Sequence, residues 1–344
     1  IYVSRQETNK ALPLLISALG LNSLARVNQQ KLRYDIAQLI MNQLSAKQIG
    51  VGPQEVNKTD LQNAITYLTT WLDYATEKEI SEAVYARIGS IYLQLKQYPK
   101  ASTYLNKAIT WSALQGKKTS EYHHQLLLVS YIELQDFESA IGVLKKLIVQ
   151  FGKNKRYRMQ LVGLYDETDQ SKQALAVLEV AYKQGLLDDT TEYTALAQRL
   201  IQAGYPHKAT RILHHGLDEF IVWVTPENLT LLASAYIQAQ EPLHAIPILE
   251  KAISTATNSR PGQLLSQLYL DQQNWKKTID TLLHTLELGN EKEAVGLQLS
   301  LGYAYYEQGE IEEAKALFSL LAENTHLNNQ SKKTVKDWNN YLQH

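Results

Sequence analysis

The sequence predicts an all-α fold in which helix pairs repeat along the chain and stack as an α-solenoid. Three columns of residues recur seven times, at spacings of 33 to 39 positions. The first column is Ala101, Ala140, Ala174, Ala209, Ala245, Thr278 and Ala314. Nine positions earlier lie Tyr92, Tyr131, Tyr165, Leu200, Tyr236, Tyr269 and Tyr305, and four positions later lie Leu105, Leu144, Leu178, Leu213, Leu249, Leu282 and Phe318. Each repeat then buries its apolar face only against its neighbours, so a chain of 344 residues needs no single large core.

Each repeat reads as two short amphipathic helices. In the first, Ile88, Gly89 and Tyr92 share one helical face, and Ala101 and Leu105 share a face of a second helix after a short break. A period near 34 residues that is built from two helices is typical of tetratricopeptide repeats. We therefore predict antiparallel helix pairs that form a right-handed superhelix.

The pattern divides the chain into three parts. Residues 1–80 predict a degenerate N-terminal helical cap, made of one helix pair with a loop from Gly50 to Asp60. Seven helix pairs follow, at about 81–114, 121–151, 155–185, 190–220, 226–257, 260–289 and 294–325. Residues 328–344 predict a single C-terminal capping helix. Pro206 and Pro242 come just before second helices, where a missing N–H costs least, whereas Pro247 predicts a bend or a late helix start.

Composition excludes several classes of function. The net charge is −1, so no excess of basic residues favours nucleic acid or an anionic membrane, and no apolar run is long enough to span a bilayer. The chain has no cysteine, which excludes disulfides, thiolate metal sites and a cysteine nucleophile. The sequence begins without methionine, which indicates a processed or truncated N-terminus. A removed signal peptide, a removed membrane anchor and a trimmed sequence all stay open, and so do a periplasmic and a cytoplasmic location.

The sequence offers no catalytic motif. It contains no glycine-rich phosphate loop, no HExxH and no GxSxG. The pairs His123–His124 and His214–His215 are adjacent on predicted helices, so their side chains point in different directions and do not converge on a metal. We expect no metal, no cofactor and no enzymatic activity.

Partner binding is expected on the inner surface of the array, which the first helix of each pair forms. Aromatic, amide and isolated charged side chains there suit an extended peptide. The candidate residues are Tyr122, Gln125, Glu133, Arg156, Met159, Glu167, Arg260, Gln263, Gln267, Asp271, Tyr303 and Tyr306. Lysine and asparagine are missing from the inner positions of the first three pairs, which disfavours a clamp for the acidic tails of chaperones.

Three segments resemble a particular group of tetratricopeptide proteins. These are residues 174–187, which read ALAVLEVAYKQGLL, residues 267–275, which read QLYLDQQNW, and residues 338–342, which read WNNYL. They are similar to the periplasmic tetratricopeptide proteins associated with TonB–ExbB–ExbD systems of gammaproteobacteria. Arg5 to Thr8 also resembles the stretch that follows the signal peptide in that family.

The resemblance implies a periplasmic accessory protein. Its partners would be the periplasmic regions of TonB or ExbD, and its role would be to support uptake of iron carriers across the outer membrane. The alternative is a scaffold for another envelope assembly, such as pilus or outer-membrane protein biogenesis. An enzyme is a third, disfavoured hypothesis.

Overall fold

All regular structure in the described part of the chain is helical. The computed structural model describes residues 8–20, 24–49, 58–289, 291–324 and 327–343. The eighteen helices in these ranges are α1 (Thr8–Gly20), α2 (Arg26–Ile49), α3 (Lys58–Leu72), α4 (Glu82–Gln94), α5 (Tyr98–Leu114), α6 (Glu121–Glu133), α7 (Phe137–Gln150), α8 (Lys155–Glu167), α9 (Ser171–Lys183), α10 (Thr190–Gln202), α11 (Pro206–Asp218), α12 (Pro226–Gln238), α13 (Pro242–Ile253), α14 (Arg260–Asp271), α15 (Trp275–Leu288), α16 (Glu291–Gln308), α17 (Ile311–Ala322) and α18 (Asn329–Leu342).

This architecture confirms the predicted all-α solenoid of helix pairs. None of these helices, within the described ranges, combines the length and the apolar character that crossing a bilayer requires. The chain forms two compact units whose boundary lies between Val177 and Leu178, inside α9. The sequence pattern did not predict this division, and each unit is described below by itself.

The first unit begins with three helices, whereas the sequence predicted one helix pair. Helix α1 was missed, and its Leu12, Leu15 and Leu19 pack on a core that α2, α3 and α4 share. Their three- and four-residue spacing places these leucines on one helical face. Helix α3 begins at Lys58, so the prediction of a loop as far as Asp60 is wrong at its end, and the rest of that loop lies outside the described residues.

The remaining helices of the first unit pack in sequence order. Helix α4 packs on α5, α5 on α6, α6 on α7 and α7 on α8, and α4 also touches α6. The alanine column is fully buried here at Ala101 and Ala140, and Leu105 and Leu144 of the leucine column are fully buried beside them. Small residues in one column and large ones in the other allow adjacent helices to approach without leaving a void.

The second unit repeats this arrangement. Successive helices from α10 to α18 pack on one another, and α12 also touches both α10 and α14. Separate small cores follow the chain, the last of them around Phe318 and Val335, where α18 packs on the final helix pair. The fifth predicted pair ends earlier than expected, at Ile253, and the seventh begins earlier, at Glu291.

The turn inside each of the seven pairs has one residue in the left-handed region. These residues are Lys96, Gln135, Asp169, Gly204, Gln240, Gln273 and Gly309, with φ between 55° and 89°. In every case the next backbone N–H donates to the carbonyl of the tyrosine column, five positions earlier, at 2.7–2.9 Å. This is the Schellman ending of a helix, and it fixes how the first helix turns into the second.

Prolines begin three helices of the second unit. Pro206, Pro226 and Pro242 are the first residues of α11, α12 and α13. Of the bend or late helix start expected at Pro247, the late start is wrong, because α13 runs from Pro242 to Ile253 with Pro247 inside it. The N–H that Pro247 lacks would have bonded to the carbonyl of Leu243 in the first helical turn, so the helix loses a single hydrogen bond near its end.

Candidate functional site

The predicted residues of the first unit lie on α6 and α8. Tyr122, Glu133, Arg156 and Glu167 are exposed, and Met159 is half-buried. A hydrogen bond to the Glu133 carboxylate raises the pKa of the Tyr98 phenol, so Glu133 reaches back to the first turn of α5. These side chains are accessible, and none of them lines either of the grooves described below.

Gln125 has a structural role instead. Its Nε2 donates to the phenol oxygen of Tyr157 at 2.6 Å, and the same phenol donates to the Glu121 carboxylate. Tyr157 is 2% exposed, and burial together with Glu121 raises the pKa of its phenol. The Nε2 of Gln125 is therefore engaged within the protein, where it links α6 to α8.

In the second unit, two of the predicted residues on α14 stand apart from the others. Arg260 is the first residue of that helix and is exposed. Gln263 turns back to the helix N-terminus, where its Nε2 donates to Ser259 Oγ at 3.0 Å. Neither residue lines the groove described next.

Gln267, Asp271 and Tyr303 meet in one surface groove of about 430 Å³. Its other lining residues are Leu270, Gln273, Trp275, Leu299 and Ser300, so α14, the turn after it, α15 and α16 all contribute. Gln267 Nε2 donates to Asp271 Oδ1 at 2.8 Å on the exposed rim. The ring of Tyr303 meets that of Trp275 edge to face, with centroids 5.8 Å apart.

The aromatic lining continues onto α18. Tyr303 contacts Trp338 at 6.0 Å between centroids, and a second groove of about 320 Å³ is lined by Tyr306, Asp337, Trp338 and Tyr341. We call the five rings of Trp275, Tyr303, Tyr306, Trp338 and Tyr341 the aromatic surface. It places Tyr303 and Tyr306 of the predicted set beside three rings that sequence reasoning did not assign to a site.

Packing against α17 holds this part of α18 in place. Trp338 stacks on Phe318 with centroids 5.3 Å apart and planes 3° apart. The Asn339 amide donates to the backbone carbonyl of Phe318 at 3.1 Å. Since Phe318 is fully buried, the core fixes one face of the Trp338 ring while Tyr341, three residues later, stays 59% exposed.

The aromatic surface has acidic surroundings. Burial and the neighbouring Glu307 carboxylate raise the pKa of the Tyr303 phenol. Asp271 and Asp337 line the two grooves, and neither groove has a lysine or an arginine among its lining residues. The side chains available for recognition are therefore rings, amides and carboxylates.

The described residues include one group of acids close enough to share a cation, namely Asp188, Asp189 and Glu192. Two of their hydrogen bonds belong to a helix N-terminus: Asp189 accepts from the N–H of Glu192 at 2.9 Å, and Glu192 accepts from the N–H of Asp188 at 3.0 Å. The first caps an amide of the opening turn of α10, and the second ties down the backbone just before that helix. The two histidines of the first adjacent pair bond different partners: His123 bonds Glu82, and buried His124 bonds the Ser120 carbonyl.

Comparison with known proteins identifies the repeats. Residues 82–113 include α4 and nearly all of α5, and residues 297–324 run from inside α16 to just past the end of α17. Each segment matches a family model described as tetratricopeptide repeat. Two helix pairs of this chain therefore match tetratricopeptide repeats. No curated protein sequence matches the chain.

Some solved structures are similar to parts of this chain at low identity. YrrB, described as a TPR protein with an unusual peptide-binding site, is 12% identical, with 56% of this chain and 97% of YrrB covered at a TM-score of 0.46. MamA from Desulfovibrio magneticus RS-1 is 15% identical, with 49% of this chain and 93% of the MamA chain covered at a TM-score of 0.41. A tetratricopeptide repeat protein from Parabacteroides merdae is 14% identical, with 78% and 98% covered at a TM-score of 0.35.

Proposed function

We propose that this protein is a non-catalytic scaffold that binds an extended segment of a partner protein on the aromatic surface of its second unit. The observation that carries the proposal is the groove in which Gln267, Asp271, Trp275 and Tyr303 meet. Tetratricopeptide repeats build binding surfaces rather than enclosed reaction sites, so a protein partner is the expected ligand class.

The chemistry of the groove suits a peptide main chain. The amide of Gln267 and the carboxylate of Asp271 can each bond to backbone groups of an extended segment, in place of the bond that they make with each other. The rings of Trp275 and Tyr303 supply apolar contact area with few rotatable bonds, so little side-chain entropy is lost on binding. Ring contacts between Trp275 and Tyr303, and between Tyr303 and Trp338, position these aromatic side chains before the partner arrives.

A peptide selection on the full chain tests this proposal. Peptides that are enriched from a random display library are synthesised with a fluorescent label, and their affinity is measured by anisotropy. We expect Trp275→Ala and Tyr303→Ala to weaken binding by about tenfold or more, as truncation of central aromatic anchors usually does. The matched control Tyr205→Ala removes a 51% exposed ring from another part of the unit and should leave affinity unchanged. Equal affinity of all three variants would disprove the assignment of the groove.

For the cellular role, we propose a periplasmic accessory of a TonB–ExbB–ExbD system that contacts TonB or ExbD and supports iron-carrier uptake. The support is sequence resemblance, and two of the three resembling segments, residues 267–275 and 338–342, carry Gln267, Asp271, Trp275, Trp338 and Tyr341 of the aromatic surface and its grooves. The residues that suggest the family are therefore also those that line the candidate site.

Genetics and co-purification separate this role from the alternatives. We expect a deletion strain to lose iron-carrier uptake. We also expect TonB or ExbD to co-purify with the protein, and Trp275→Ala to abolish this co-purification. A defect confined to pili or to outer-membrane protein insertion would point to the other envelope scaffold. Turnover of an envelope substrate by the purified protein would contradict the non-catalytic proposal.

A further inference from the structure

Three rings at the C-terminal end of the aromatic surface form an open corner. The ring centroids of Tyr306, Trp338 and Tyr341 lie 5.2–5.8 Å from one another, and their planes are inclined by 59° to 87°. The hydroxyls of Tyr306 and Tyr341 are 2.8 Å apart and share a hydrogen bond. Together with Asp337 these rings line the groove of about 320 Å³, and we call the four residues the aromatic corner.

The charges at the aromatic corner are negative. Asp337 is exposed, and it has no ion-pair partner among the described residues. The hydrogen bond with Tyr341 is the main cause that raises the pKa of the Tyr306 phenol. The carboxylate of Glu307, on the same helix as Tyr306, raises it further. A groove of this kind favours a cation and disfavours a carboxylate or phosphate.

Elsewhere in the chain, lysines of the protein itself cover the faces of tyrosine rings. Lys100 lies over Tyr92 at 5.3 Å from the ring centroid, and Lys277 lies over Tyr269 at 5.0 Å. In the described part of the chain no lysine or arginine lies over the three rings of the aromatic corner. The cation–π interaction that the protein's own lysines make with other tyrosines is therefore not made by any described residue at the aromatic corner.

From this geometry we infer that the aromatic corner binds a lysine or arginine side chain of the partner. The negative ring faces of Tyr306, Trp338 and Tyr341 attract the cation within about 6 Å of a centroid, and Asp337 supplies the counter-charge. A neutral side chain would cover the Asp337 carboxylate without compensating it, which costs free energy. The inference deepens the proposed function, because it states which side chain an extended segment would place at the end of the surface.

Small probes test the aromatic corner without the rest of the partner. The probes are Nα-acetyl-lysine methylamide, Nα-acetyl-arginine methylamide and Nα-acetyl-norleucine methylamide, whose side chain is that of lysine without the ammonium group. Each is titrated into the full chain. The readout is the NMR signal of the Trp338 indole N–H, assigned with Trp338→Phe. We expect saturable shifts in the millimolar range with the two cations and none with norleucine. Equal shifts with norleucine, or no saturable shift with either cation, would overturn the inference.

Variants then identify the contacts. Asp337→Asn should weaken binding of the lysine probe about three- to fivefold, as loss of an exposed counter-charge does. Tyr341→Ala should weaken it about three- to tenfold through the lost ring face. Asp218→Asn makes the same change of charge at an exposed residue of α11 and should have no effect. If Asp218→Asn weakens binding as much as Asp337→Asn does, the attraction is one of net charge and the specific corner is disproved.

The two proposals fail separately. Trp275→Ala should leave the small cation probes bound, because Trp275 lies outside the aromatic corner. If the cations bind and no library peptide depends on Trp275, the inference about the aromatic corner is supported and the proposed peptide groove is disproved. The opposite outcome is that peptides bind through Trp275, and that their affinity is unchanged when each lysine or arginine is replaced by norleucine or citrulline. That result would support the peptide groove and disprove the inference about the aromatic corner.

Discussion

The backbone of Gly89 on α4 lies directly against the side chain of Leu105 on α5. A Cβ at position 89 would stand 2.6 Å from Leu105 Cγ and 3.2 Å from the Leu105 backbone nitrogen. Leu105 is fully buried, so its side chain cannot move out into solvent. The same relationship recurs in the last helix pair, where a Cβ at Gly302 would stand 2.7 Å from the Phe318 ring.

From this contact we predict that Gly89→Ala destabilises the first unit by about 1–3 kcal/mol, because α4 and α5 must separate to admit the methyl group. Gly142→Ala is the matched control: position 142 is also helical, with no heavy atom within 4 Å of a new Cβ. There the substitution should stabilise by about 0.5–1 kcal/mol through its helix propensity. Urea unfolding followed by circular dichroism measures both free energies, and a change of the same sign would contradict the packing argument.

Because the turn residues have a left-handed backbone, replacing glutamine by glycine should change stability in opposite directions at a turn and inside a helix. Gln240 has a φ of 61° and an exposed side chain, so Gln240→Gly should relieve backbone strain and stabilise the second unit by roughly 0.5–1 kcal/mol. Gln198, exposed in the middle of α10, is the control, and Gln198→Gly should destabilise by a similar amount. Thermal and urea unfolding of the two variants should shift in opposite directions; destabilisation in both would refute the role of the turn.

These two cases show what the sequence could predict. The alanine, tyrosine and leucine columns are visible because close packing restricts residue type, as Gly89 against Leu105 illustrates. The left-handed column is not visible, because an exposed lysine, glutamine or aspartate can adopt that conformation for about 1 kcal/mol, so glycine is present at only Gly204 and Gly309. Packing limits side-chain identity far more than turn geometry does.

The candidate site was predicted only in part for a similar reason. Helical periodicity placed Gln267, Asp271, Tyr303 and Tyr306 on one surface, and all four line the two grooves. It also placed Gln125 there, whose amide bonds Tyr157 on the next repeat instead. The contact of Trp338 with Tyr306 joins α18 to α16, and such a contact depends on how helices stack rather than on spacing within one helix.

Buried His124 predicts that the first unit loses stability as the pH falls. Burial chiefly lowers its pKa below the ordinary 6.5; nearby Lys146 and His123 lower it further, while the Ser120 carbonyl and Glu82 oppose them. With the folded pKa below the unfolded one, the unfolded state binds more protons in between, so stability rises with pH there. The loss should begin near pH 6.5 on acidification and level off below the folded pKa of His124.

The free energy of unfolding, measured in urea at several pH values from about 7.5 down to about 5, checks this slope. His124→Asn should reduce the slope of this free energy with pH, since asparagine does not titrate. The control His284→Gln changes a histidine that is 49% exposed and keeps His124, so the wild-type pH dependence should persist. An unchanged slope in His124→Asn would assign the pH dependence to other groups.

The stack of Trp338 on Phe318 predicts that the capping helix stabilises the second unit. Trp338→Ala would uncover the Phe318 ring, which is fully buried, and should cost about 2–4 kcal/mol. Trp338→Phe keeps a ring parallel to Phe318 and should cost less than half as much. Tyr341→Ala, on the exposed side of the same helix, should change the free energy of unfolding by less than about 1 kcal/mol. Urea unfolding gives the three values, with hydrogen exchange locating the loss at α17 and α18. If Trp338→Ala and Tyr341→Ala cost the same, then the stack does not anchor α18, and Tyr341 would be unsuitable as a variant that tests the aromatic corner without unfolding it.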